Sequence, residues 1–106
     1  MENPRKVLFV CSMGMLRSPT AANITHNLFG WNTRSCGVEK DALIPITDTL
    51  CEWADYIICF ENKHAKHVKD KFEEKIHLLN IPDVYEYMDK GLVFEIMRSF
   101  PDYIEL

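Results

Sequence analysis

Apolar positions fall along this chain in short blocks divided by polar and turn-forming stretches. The first block, Val7 to Val10, is unbroken and has the length of a strand covered on both faces. Ser18-Pro19 predicts the N-cap and first residue of a helix over Pro19–Phe29, with Ala22, Leu28 and Phe29 inward and Gly30 as its C-cap. "TRSC" predicts a short second strand ending at Gly37, and "TDTLCEWA" a short helix capped by Thr47. "YIICF", Tyr56 to Phe60, is β-branched and aromatic enough for a third strand. Asn62 is expected to cap a helix in which Ala65, Val68 and Phe72 keep one face apolar while lysines and histidines take the other. "KIHLLNI" predicts a fourth strand, stopped by Pro82. Asp89 then caps a last helix with Leu92, Val93, Ile96, Met97 and Phe100 on one side.

Strands and helices thus alternate four times, which implies an α/β fold of three layers: a four-stranded parallel sheet with helices on both faces. With 106 residues, 47% hydrophobic, and no repeat, linker or low-complexity tract, residues 1–106 are expected to form a single domain. In such sheets ligands bind beyond the carboxyl ends of the strands, where strand order reverses. Cys11 ends the first strand and Asp83 comes after the fourth, so both are expected on that edge.

A formal net charge of −4 argues against general attraction to polyanions, and nucleic acid is not an expected partner. "MENPRK" has no signal-peptide character and no apolar run approaches membrane-spanning length, so no membrane partner and a cytoplasmic location are expected. Cys11, Cys36, Cys51 and Cys59 form no CxxC pair and no zinc-like spacing with His26, His64, His67 or His77. No metal or cofactor is expected. The last three cysteines read as small buried hydrophobes, and the histidines as solvated or structural.

Cys11 differs from the other cysteines in its neighbours. The loop Ser12, Met13, Gly14, Met15, Leu16 and Arg17 joins a strand to a helix, and a turn of this kind can aim successive N–H groups inward as an anion nest. The positive end of the helix dipole points to the same place. Arg17 adds a planar fork suited to two phosphate oxygens. That field favours a thiolate at Cys11, an in-line nucleophile beneath a bound phosphate, with a phosphocysteine as the product of its attack. Ser18 either donates its hydroxyl to the thiolate or caps the helix, and the two roles are compatible.

At these residues the chain resembles the low-molecular-weight protein tyrosine phosphatases. "VCSMGMLRSPTAA" looks like the family's Cys-x5-Arg-Ser-Pro phosphate loop, and the likeness continues through "RSCGV", "ITDTLCEWADYIICF" and "IPDVYEY". The resemblance implies hydrolysis of a phosphate monoester, with phosphotyrosine in protein or a small phosphate ester as substrate. It makes Cys11 the nucleophile, Arg17 the phosphate clamp, Ser18 the thiolate-stabilising hydroxyl, Ser35 a support of the loop and Asp83 the general acid. Gly14 stands where the family usually has asparagine, and no histidine lies near Asp41 to support one. Leu16 replaces the second loop cysteine of many members, and proline precedes Asp83 instead of coming after it. Asp89 is the rival acid, although an N-cap explains it better. Tyr85 and Tyr87 are either a rim for an aromatic substrate or packing residues. Two other functions fit the same residues. One is a catalytically weak phosphate- or phosphopeptide-binding module. The other is an arsenate reductase, which needs a cysteine relay that this chain lacks after Cys59.

Overall fold

The structure, a computed structural model, describes residues 4–99. Its elements are β1 (Lys6–Cys11), α1 (Arg17–Phe29), β2 (Asn32–Gly37), α2 (Asp48–Trp53), β3 (Tyr56–Cys59), α3 (Asn62–Ala65), a 3-10 turn (Asp70–Lys75), β4 (Ile76–Leu78) and α4 (Lys90–Ser99). The four strands form one sheet in the order β2-β1-β3-β4, every pairing parallel. The α/β architecture expected from the alternation is therefore the one observed. Strand order reverses about β1 and β3, which places the ligand crevice of such sheets beyond Cys11 and Cys59.

The strand pleat sorts the apolar residues into two layers. Val7, Phe9 and Cys11 face one side with Ala21, Ile24, Ile58, Leu92 and Ile96, under α1 and α4. Leu8 and Val10 face the other with Cys36, Cys51, Ile57, Cys59, Val68 and Phe72, under α2 and the 3-10 turn. Val7 to Val10 are fully buried, which accounts for their unbroken apolar run.

Several local expectations need correction. Helix α1 begins at Arg17 with Leu16 at its N-cap and no side-chain cap, so Ser18 lies inside the first turn. Leu28 is exposed, and Ala21 and Ile24 carry the inward face instead. Asn62 is not a cap: Glu61 occupies that position, and α3 is a single turn. The apolar spacing of Ala65, Val68 and Phe72 survives, but extended backbone at Lys69 (ψ 150°) separates α3 from the 3-10 turn. Thr47 caps α2 as expected, accepting from the Leu50 amide at 3.1 Å. Asp89 likewise meets α4, its Oδ1 accepting from the Gly91 amide at 2.7 Å. Phe100 lies outside the described residues. Among those residues no helix is long and apolar enough to cross a membrane.

Candidate active site

The loop after β1 is bent by Gly14, whose φ of 70° is left-handed backbone that favours glycine. No side chain of the segment after β2 latches it. Instead the amides of Val38, Glu39 and Leu43 donate to the carbonyls of Cys11, Ser12 and Met13 at 3.1, 2.9 and 3.0 Å. This backbone-to-backbone approach depends on Gly37, where a Cβ would stand 2.5 Å from Met13 C and 2.6 Å from Ser12 O. Ser35, two residues upstream, makes no side-chain hydrogen bond among the described residues; the nearby carbonyl of Cys36 is what the site uses.

Cys11 is 3% exposed, and its Sγ has two polar neighbours. The Gly14 amide donates to it at 3.2 Å, and Ser18 Oγ lies 3.1 Å away. Ser18 Oγ is also 3.3 Å from Cys36 O. One hydroxyl proton thus has two acceptors in reach. With a thiol, S–H gives to Ser18 Oγ and the hydroxyl gives to Cys36 O; with a thiolate, the hydroxyl turns to sulfur. The other thiols offer no such setting. Burial pushes Cys59 up to about 12 and raises Cys36 further, while Cys51 is raised by burial and then by Asp48. All four cysteines are free.

Arg17 is 1% exposed, so its charge requires partners. Nη1 donates to Glu61 Oε2 at 2.6 Å and to Ile81 O at 2.9 Å, and Nη2 donates to Ser12 Oγ at 3.2 Å. A guanidinium has five N–H bonds. Three are taken by Glu61, Ile81 and Ser12, which leaves one Nη2–H and the Nε–H, the latter in an ion pair with Asp83. Arg17 lines a cavity of about 130 Å³ together with Cys11, Met13, Met15, Leu16 and Asp83. Asp83 is half exposed at its mouth, with Oδ1 3.7 Å from Arg17 Nε. The cavity therefore gathers a thiol, a guanidinium and a carboxyl group.

Tyr85 and Tyr87 stand outside these walls: Tyr85 packs on the α1/α4 core beside Gly91, and Tyr87 accepts from Asn23 Nδ2 at 3.4 Å. The carboxyl-bearing segment is pinned at its ends by Ile81 N to Phe60 O (2.9 Å) and Met88 N to Thr20 Oγ1 (2.9 Å).

Sequence reasoning missed Glu61 and His64. Glu61 lies just past β3 and neutralises Arg17, and the hydrogen bond from that arginine holds its carboxyl below the usual range. His64 is fully buried, with Nε2 3.0 Å from Ser12 Oγ and Nδ1 accepting from the Glu61 amide at 3.0 Å. Burial first, then the Arg17 charge, lowers it to about 4, so the ring is neutral at pH 7. Among the described residues no three His, Cys, Asp or Glu side chains gather as metal ligands would.

No protein-family model and no curated protein matches the sequence. Solved structures do match. The low molecular weight protein tyrosine phosphatase SP-PTP from Streptococcus pyogenes is similar over 95% of this chain and 94% of its own, with 18% identity and a TM-score of 0.76. The tyrosine phosphatase Wzb from Escherichia coli K30, in complex with phosphate, is similar over 92% and 94%, with 17% identity and a TM-score of 0.74. The YwlE arginine phosphatase from Geobacillus stearothermophilus is similar over 90% of each chain, with 19% identity and a TM-score of 0.70. Together with the parallel β2-β1-β3-β4 sheet and the loop between β1 and α1, these likenesses identify the fold of the chain as that of the low-molecular-weight protein tyrosine phosphatases.

Proposed function

We propose that the protein hydrolyses phosphate monoesters through a phosphocysteine, with phosphotyrosine in protein as the leading substrate class. The observation that carries this reading is that Arg17, with two N–H groups outside its bonds to Glu61, Ile81 and Ser12, shares one small cavity with Cys11 and Asp83. Cys11 thiolate attacks phosphorus in line; the S–P bond forms as the P–O bond to the leaving group breaks, and Asp83 gives that oxygen its proton. Arg17 Nε–H and Nη2–H hold two non-bridging oxygens throughout. Water then attacks phosphorus, the Asp83 carboxylate takes its proton, the S–P bond breaks, and inorganic phosphate leaves with the thiolate restored. Four free thiols support a cytoplasmic setting, where cysteines stay reduced.

Arsenate reduction would need a second thiol to attack Cys11, and Cys36, Cys51 and Cys59 are all buried with raised pKa values. The test is turnover of para-nitrophenyl phosphate by wild type and Cys11→Ser, with acid-quenched wild type analysed for a phosphate adduct at Cys11. Turnover and adduct are expected in wild type, and only phosphate binding in the variant. Binding without turnover in wild type would leave a phosphate- or phosphopeptide-binding module.

A further inference from the structure

We propose that Ser12 and His64 are positioning residues that fix which edge of Arg17 faces the bound anion; this rests on the anion-site reading above. Four links close a ring. Arg17 Nη1 donates to Glu61 Oε2, the Glu61 amide donates to His64 Nδ1, His64 Nε2 meets Ser12 Oγ, and Ser12 Oγ accepts from Arg17 Nη2. Because the Glu61 amide occupies the lone pair on Nδ1, the proton of the neutral ring is on Nε2 and is donated to Ser12. Both lone pairs of Ser12 Oγ are then engaged, one by His64 and one by Arg17.

The Nη1 bonds to Glu61 and Ile81 O hold one corner of the guanidinium, and at Nε the half-exposed Asp83 stands off at 3.7 Å. Ser12 supplies the second anchor. A serine side chain alone rotates freely, and the fully buried His64 ring stops it. The two anchors together aim Nε–H and the second Nη2–H into the cavity. Catalytic geometry is sensitive to errors of this kind at about the 1 Å scale.

The test measures orthovanadate affinity and kcat/KM for para-nitrophenyl phosphate. Ser12→Ala should weaken vanadate binding roughly tenfold, the effect of about one charge-assisted hydrogen bond, and Ser12→Thr should restore it. His64→Asn presents an acceptor to the Glu61 amide but does not reach Ser12, whereas His64→Gln reaches Ser12 with an N–H and gives up the Glu61 amide. Affinity should therefore fall in His64→Asn and be largely rescued in His64→Gln, even where the latter has the lower Tm. The double variant Ser12→Ala/His64→Asn should bind no more weakly than Ser12→Ala alone. Wild-type affinity in Ser12→Ala, or losses that multiply in the double variant, would overturn the proposal, and the serine pair decides it if His64→Asn does not fold. Wild type that neither binds vanadate nor turns over would remove the anion site itself, and this proposal with it.

Discussion

Adding one methyl group at Gly37 should damage the loop more than its size suggests. The built Cβ lies 2.5 Å from Met13 C, 2.6 Å from Ser12 O and 2.7 Å from Gly14 N, and all three are backbone atoms. An ordinary carbon contact is about 3.5–4.0 Å, so β2 and the loop must part by roughly 1 Å. That separation stretches the three bonds from Val38, Glu39 and Leu43 that hold the loop shut. Overpacking of this kind costs about 1–3 kcal/mol of stability, and a displacement of about 1 Å near reacting atoms costs about 10²-fold in rate. Urea unfolding and para-nitrophenyl phosphate turnover of Gly37→Ala measure the two effects separately. Gly30→Ala is the control: its Cβ meets nothing within 4 Å, but φ is 72°, so about 1 kcal/mol of backbone strain is expected with activity intact. A Gly37→Ala protein within about 0.5 kcal/mol and twofold of wild type would refute the close-approach argument.

Asp83→Asn should slow turnover by roughly 10²–10⁴-fold, most for poor leaving groups, while Asp89→Asn should cost within about 1 kcal/mol of stability through the α4 cap and spare the leaving-group dependence; measured across aryl phosphates, the reverse pattern would assign the acid to Asp89. His64 gives a pH prediction. An unfolded histidine takes its proton near 6.5, but the folded ring, held down by burial and then by Arg17, resists until about 4. Its neutral form therefore favours folding fully above pH about 6.5, and that stability should fall by about 3 kcal/mol as pH drops to about 4. His64→Gln should flatten the urea-derived stability curve across that window, and an unchanged slope would count against the buried neutral ring.

What the sequence showed was local. Val7 to Val10 announced a buried strand because both its faces are covered, and Thr47 and Asp89 announced caps because their partners lie three and two residues away. Cys11, Gly14, Arg17 and Ser18 stand within one eight-residue stretch, so their grouping needed only a turn. Glu61 is 44 residues from Arg17, and His64 is 52 from Ser12, so no spacing reveals those pairs. One signal was within reach: an arginine buried at a parallel sheet's edge needs a carboxylate, and Glu61 is the first charged residue past β3. The split between α3 and the 3-10 turn was hidden for another reason. Spacings of three and four residues suit both helix types, and periodicity does not register the extended backbone at Lys69 in the connection between them.

The main-chain latch also separates two duties that a single side chain would combine. In the family this chain resembles, an asparagine usually occupies the Gly14 position, so loop architecture there involves a side chain. Here Val38, Glu39 and Leu43 support the loop through their amides, which every residue but proline possesses. Met13, Met15 and Leu16 are left to shape the cavity wall without also bracing the turn. Those three side chains can consequently vary, or be varied in a library, while the main-chain support of the loop is inherited unchanged.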